Sequence, residues 1–99
     1  MSNEPLLQKK KLEQAKEPEM FTVIIHNDDF TPTDFVTSLL MNVFGLGVNA
    51  AEIITFNIHS ADKAQVGSFT REIAESKSAI VNNTSRGHEH PLLSEIQEL

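Results

Sequence analysis

The chain has no cysteine, tryptophan or tyrosine, and only 4 glycines and 4 prolines among its 99 residues. Without cysteine it has no disulfide, no thiolate metal site and no thiol nucleophile, a composition that suits a reducing compartment. Basic residues are also in short supply: 8 Lys and Arg stand against 14 Asp and Glu, a formal charge of −6. Nonspecific binding to nucleic acid or to an acidic membrane needs the opposite surplus, so a cationic partner is expected instead. No apolar run approaches the roughly 20 residues that cross a bilayer. No signal-like apolar core follows the first charges, and a cytoplasmic location is expected. What remains is ordinary for a globular protein, 39% apolar and 22% charged residues, enough for one domain with one modest core.

Residues 1–18 carry Lys9, Lys10, Lys11, Glu4, Glu13 and Glu17 with little to bury, and read as a flexible N-terminal tail. Pro18 closes it, because the residue before a proline is pushed out of the helical region. The core domain, 19–99, opens with a strand from Met20 to His26, rich in Phe, Val and Ile and apolar on both faces. Thr31 then reads as a helix N-cap, with Pro32 at the first helical position and Asp34 at capping-box spacing. Val36, Leu39, Leu40 and Val43 form its apolar stripe, and Gly45 and Gly47 end it. Asn49 with Glu52 signals a second helix, its apolar side Ala50, Ile53, Ile54 and Ile58, ending near His59. A turn over Ser60 to Lys63 leads into a strand from Ala64 to Phe69, where Gly67 marks a bulge. Thr70 caps a third helix with the stripe Ile73, Lys77, Ile80, Val81 and Thr84, which the polar run 82–87 dissolves. Leu92 to Ile96 fits either a last strand or a short helix. The order β-α-α-β-α-β predicts an α+β fold with three helices packed on a small antiparallel three-stranded sheet.

The chemistry concentrates where the first strand ends, in Asn27-Asp28-Asp29. The plain reading is a turn whose Asx hydrogen bonds lead into the helix. The functional one is a carboxylate and an amide oxygen accepting charge-assisted bonds from a cation such as an ammonium group. Four histidines raise a metal site, with His88 and His90 spaced as ligands on a strand and His26, His59 and Asp28 as further candidates. With no cysteine and so few nearby anions, neither a metal nor a cofactor is expected. Serine lacks a nucleophile-elbow context, and Gly45-Leu46-Gly47 lacks the third glycine of a phosphate loop and follows a helix. A binding module, not an enzyme, is the expectation.

Three segments carry a family resemblance: Val23-Ile24-Ile25-His26-Asn27-Asp28-Asp29-Phe30-Thr31-Pro32, Phe69-Thr70-Arg71-Glu72-Ile73-Ala74-Glu75-Ser76-Lys77 and Glu89-His90-Pro91-Leu92-Leu93. Together, in this order and with a lone histidine between the first two, they resemble the ClpS family, adaptors of the ClpA-type unfoldase and its ClpP peptidase. The resemblance implies a monomeric N-degron receptor. Such a protein binds the free first residue of a substrate, typically Leu, Phe, Tyr or Trp, and passes the substrate to the unfoldase. By position it assigns Asn27, Asp28 and His59 to the substrate α-amino group. Ile25, Thr31, Thr33, Val36, Thr55, Ile58 and Leu92 fall to the side-chain pocket, and Glu72 and Lys77 to docking on the unfoldase N-domain. The tail would be engaged during delivery. Thr33 and Thr55 depart from the pattern, because typical members carry large apolar residues, usually Met, at both positions. Either the pocket is roomier and its preference altered, or neighbouring side chains refill the space. The alternative function is a small interaction domain of the same fold without a pocket, such as the ribosomal stalk C-terminal domain.

Overall fold

The computed structural model describes residues 19–99; the expected tail, residues 1–18, lies outside the described residues. The elements follow the expected order: β1 (Met20–His26), α1 (Thr33–Phe44), α2 (Val48–Ala61), β2 (Lys63–Thr70), α3 (Arg71–Gly87) and β3 (Leu93–Glu98). The strands form one antiparallel sheet in the order β2-β1-β3. Its central strand is the most apolar one, and Phe21 to Ile25 are buried in succession. Residues of both faces, Phe21, Val23 and Ile25 on one and Thr22 and Ile24 on the other, are buried, and burial on both faces is what a two-sided apolar pattern serves.

The β1–β2 register slips between Phe21, opposite Phe69, and Val23, opposite Val66. Gly67 sits at this bulge with φ 76°, and a Cβ there would collide with the Phe69 ring. The final segment is a strand rather than a helix, with His26 opposite Leu93 and Phe21 opposite Glu98.

The helix ends differ from the sequence expectation, and in α1 and α3 the reason is a polar group that finds a better partner. α1 starts one residue late, with Pro32 as its N-cap. Thr31 is not the cap because its hydroxyl is bonded to Asp28, and Asp34 completes no capping box but accepts from the N–H of Phe35. α2 starts after Gly47, so Asn49 lies inside the helix, and it runs on to Ala61. Its buried face is Ala51, Thr55 and Ile58, while Ile53 is exposed. α3 continues through residues 82–87, the run expected to dissolve it. There, the Asn82 side chain accepts the Ser94 N–H at 2.7 Å and donates to the Ser94 carbonyl at 3.1 Å, standing in for a neighbouring strand. The Ser85 hydroxyl donates to the His90 carbonyl at 3.0 Å. The buried stripe of α3 is Ala74, Ser78, Val81 and Ser85, whereas Ile73 and Ile80 are exposed. Small residues let the helix lie close to the sheet, where the Ser78 and Ser94 hydroxyls are 2.7 Å apart.

Candidate functional site

The segment between β1 and α1 is built around Asp28. Its Oδ1 accepts the backbone N–H of Phe30 at 2.8 Å and of Thr31 at 2.7 Å, and its Oδ2 accepts the Thr31 hydroxyl at 2.8 Å. The Asn27 N–H donates to the Asp62 carbonyl at 2.7 Å, tying the same corner to the turn between α2 and β2. Asp62 holds that turn in the left-handed region, with φ 70°. Burial pushes the Asp28 carboxyl up, but the Phe30 N–H, the Thr31 hydroxyl and N–H, and nearby His90 outweigh it. The balance holds the carboxyl below its ordinary value of 3.8. An ionised carboxylate offers about four acceptor sites, and the turn occupies three of them. Asp28 therefore makes the Asx turn and keeps a charge with spare acceptor capacity.

The corner forms one wall of a cavity of about 390 Å³. Asn27, Asp28 and Asp29 line its polar side, with His59 from α2, and Phe30 borders it. Thr31, Thr33, Val36, Thr55, Ile58 and Leu92 complete it, the last four from buried positions on α1, α2 and the approach to β3. Residues up to 65 positions apart, Asn27 and Leu92, thus share one cavity. Ile25, expected in the lining, is fully buried and absent from the wall. It packs in the same core cluster as Val36, Ile58 and Leu92, and so backs the wall instead of forming it.

The two threonines differ. Thr33 is exposed, whereas Thr55 is buried. The Thr55 hydroxyl donates to the Ala51 carbonyl at 2.8 Å and lies 2.8 Å from the Thr37 hydroxyl. Its polarity is thus satisfied within the helix pair. Phe30 and Pro32 also line the cavity, as does Asp29 of the polar triplet, and none of the three was assigned to the site from the sequence. Their signal was adjacency: a tight turn carrying Asp28 must carry its neighbours too.

Glu72 and Lys77 lie away from this cavity on α3. Glu72 is exposed in the first helical turn. Lys77 is partly buried, with its Nζ donating to the Val43 carbonyl at 2.8 Å. It also lies 5.7 Å from the centre of the Phe44 ring and 5.5 Å from that of Phe69. Part of its ammonium is thus committed to the C-terminal turn of α1.

The histidines do not converge. His26 lies 3.2 Å from the Glu95 carboxylate, while His88 and His90 flank the Phe35 ring at 5.0 and 4.6 Å between centroids. Among the described residues no group of three or more His, Asp and Glu is arranged to hold a metal. No helix among them is long and apolar enough to cross a membrane.

The chain has solved and curated counterparts. Residues 16–95 match the family model described as ATP-dependent Clp protease adaptor protein ClpS. Over 95 residues, covering 96% of this chain and 90% of each relative, the chain is 41% identical to the ATP-dependent Clp protease adapter protein ClpS of Erwinia tasmaniensis and 37% identical to that of Edwardsiella ictaluri. The solved structure of Agrobacterium tumefaciens ClpS2 bound to L-phenylalaninamide superposes with a TM-score of 0.81 at 28% identity, covering 83% of this chain and 99% of that one. The chain therefore belongs to the ClpS family of Clp protease adaptor proteins.

Proposed function

We propose that this adaptor recognises the free N-terminal residue of its substrates and delivers them to a ClpA-type unfoldase. The observation that carries the reading is an ionised Asp28, with acceptor capacity to spare, in the wall of a cavity that also presents the apolar side chains of Val36, Ile58 and Leu92. A chain's α-amino group titrates near 7.7–8.0, so at neutral pH it is mostly an ammonium with three donors. The remaining acceptor of Asp28, the Asn27 side-chain oxygen and an unprotonated His59 nitrogen match those donors in number. Val36, Ile58 and Leu92 then receive the first side chain, whose burial contributes roughly 1.5–3 kcal/mol. An internal residue has no ammonium, and a charged first side chain would be desolvated without a partner. Selection therefore needs both halves of the cavity. A relative bound to an amino-acid amide, a molecule with a free α-amino group and a large apolar side chain, supports this assignment.

Large apolar first residues are the expected class. Threonines at 33 and 55 shorten the wall, and the internally bonded Thr55 hydroxyl adds no polar penalty. We therefore expect tolerance of Ile, Val or Met beside Leu, Phe, Tyr and Trp, and a peptide panel confined to the last four would refute it. Glu72, with the remaining donors of Lys77, is assigned to the unfoldase N-domain. Delivery is tested by adding the protein to a reconstituted ClpA-type unfoldase and ClpP with a Phe-initiated reporter. Adaptor-dependent loss of that reporter, and not of its Glu-initiated twin, is expected; equal rates with and without adaptor would defeat the proposal.

A further inference from the structure

We propose that Thr37, which lies outside the amino-terminus cavity, is a positioning residue: it decides which face Thr55 turns to the bound first side chain and so sets the cavity against polar first residues of the same shape. The inference rests on the amino-terminus reading of that cavity. Thr55 is buried and lines the cavity, whereas Thr37 is half-buried and does not. The two residues meet on the other side of Thr55, where both line a separate groove of about 280 Å³.

A threonine carries a methyl and a hydroxyl on one carbon, so a turn about χ1 exchanges an apolar surface for a polar one. In a helix the backbone does not settle the choice, because the hydroxyl can reach a carbonyl three or four residues back and threonine divides between two rotamers. The Thr55 hydroxyl donates to the Ala51 carbonyl at 2.8 Å, a bond for which the carbonyl three residues back is a substitute. Its second contact has no substitute: the Thr37 hydroxyl stands 2.8 Å away on α1, and itself reaches the Thr33 carbonyl at 3.1 Å. A hydroxyl has one proton and two lone pairs. With its proton on Ala51, Thr55 accepts from Thr37; with its proton on Thr37, that hydroxyl donates to Thr33. In both arrangements the Thr55 oxygen is held against α1, and its methyl is the group left for the cavity.

The consequence is chemical selection. The Thr55 methyl joins Val36, Ile58 and Leu92 in the lining, and the wall there is apolar although a threonine supplies it. A first side chain with a hydroxyl in place of a methyl finds no partner on Thr55, and burying it unpaired costs about tenfold in affinity. Valine and threonine make this comparison, since they share a branched shape and differ in that one group. Thr37 touches neither, and acts on both through Thr55.

The test reads rotamer and selection separately, on the full chain. Couplings from the Thr55 methyl carbon to its backbone nitrogen and carbonyl carbon report χ1 by NMR. Displacement of a labelled Phe-initiated peptide by Val- and Thr-initiated twins reports selection. Wild type is expected to show the couplings of a single rotamer and to bind the Val peptide about tenfold more tightly than the Thr peptide. In Thr37→Val the couplings should average over two rotamers, and the Val-over-Thr ratio should fall by about threefold or more, the scale of one neutral hydrogen bond. Thr37→Ser, which keeps the hydroxyl, should behave as wild type in both. Adding Thr37→Val to Thr55→Val, which has no hydroxyl to turn, should leave the ratio where Thr55→Val alone puts it. Unchanged couplings in Thr37→Val overturn the positioning role, and averaged couplings with an unchanged ratio overturn the selection. Binding of the Phe peptide without displacement by the Val peptide also overturns the selection, and leaves the amino-terminus reading standing. Failure of wild type to bind the Phe peptide overturns that reading and the selection together.

Discussion

The two ends of α1 each have an ionised side chain from elsewhere in the chain fixed beside them. Before its N-terminus stands Asp28, fastened by three hydrogen bonds from Phe30 and Thr31 yet bordering an open cavity. At its C-terminal turn stands Lys77, fastened to the Val43 carbonyl and flanked by the rings of Phe44 and Phe69. A cation near a helix C-terminus opposes the negative end of the dipole, and Lys77 serves the fold in that way. The Asp28 bonds are all local, within three residues, so its charge is oriented without being used up. Burial and fastening are thus separable: Asp28 is fixed and keeps a free acceptor at a cavity, whereas Lys77 spends part of its ammonium on the frame.

Substitutions at the two ends should separate accordingly. Asp28→Ala removes the charge and the turn together, and peptide affinity should fall by about a hundredfold, near the upper end for a charged hydrogen bond. Asp28→Asn retains an oxygen for the Phe30 and Thr31 N–H groups but loses the charge, so affinity should fall by about tenfold with little change in Tm. Equal affinity in wild type and Asp28→Asn would show that the charge is irrelevant. His59→Ala should weaken binding by up to about tenfold, the scale of one neutral hydrogen bond. Because His59 is exposed, its loss should leave urea unfolding unchanged.

Lys77→Ala is expected to do the reverse. Losing a charged bond to a carbonyl and the adjoining ring contacts should cost about 1–3 kcal/mol of stability, read from the urea midpoint, while peptide affinity stays within a factor of about two. A matching loss of affinity would erase the distinction between the two ends.

Acid gives the smallest effect. The native Asp28 carboxyl lies below its ordinary 3.8, so native Asp28 releases its proton more readily than the unfolded chain does. Its contribution is therefore fully present above the unfolded value and is lost as pH falls through the lowered native one. The Tm difference between wild type and Asp28→Asn should be constant at neutral pH and shrink below pH of about 4. A difference that grows on acidification would give the opposite sign for the Asp28 shift.

The order of elements was legible because β-branched runs, glycines and a central apolar strand are strong local signals. Boundaries were less so. Thr31 looked like a cap, and only the folded turn reveals that Asp28 claims its hydroxyl. The packing face of α3 was misread because the small residues Ala74, Ser78 and Ser85 are buried, whereas the large apolar Ile73 and Ile80 are exposed. Asn82 looked like a helix breaker, and its partner lies 12 residues away in β3. The site was divided in the same way. Asn27 and Asp28 announce themselves as a polar corner after a strand, but nothing local to His59 or Leu92 says that they share its cavity. Their assignment came from the family resemblance. Ile25 was placed in the lining by the same resemblance, and its full burial puts it behind the wall that Val36, Ile58 and Leu92 present.

The most direct test of the central claim is calorimetry at neutral pH with a Phe-initiated peptide and its N-acetylated twin, which keeps the side chain and removes the ammonium. Saturable binding of the free peptide, with affinity for the acetylated one reduced by at least about a hundredfold, is the predicted result. Equal affinity for the two peptides would contradict it, because Asp28, Asn27 and His59 would then hold no chain end.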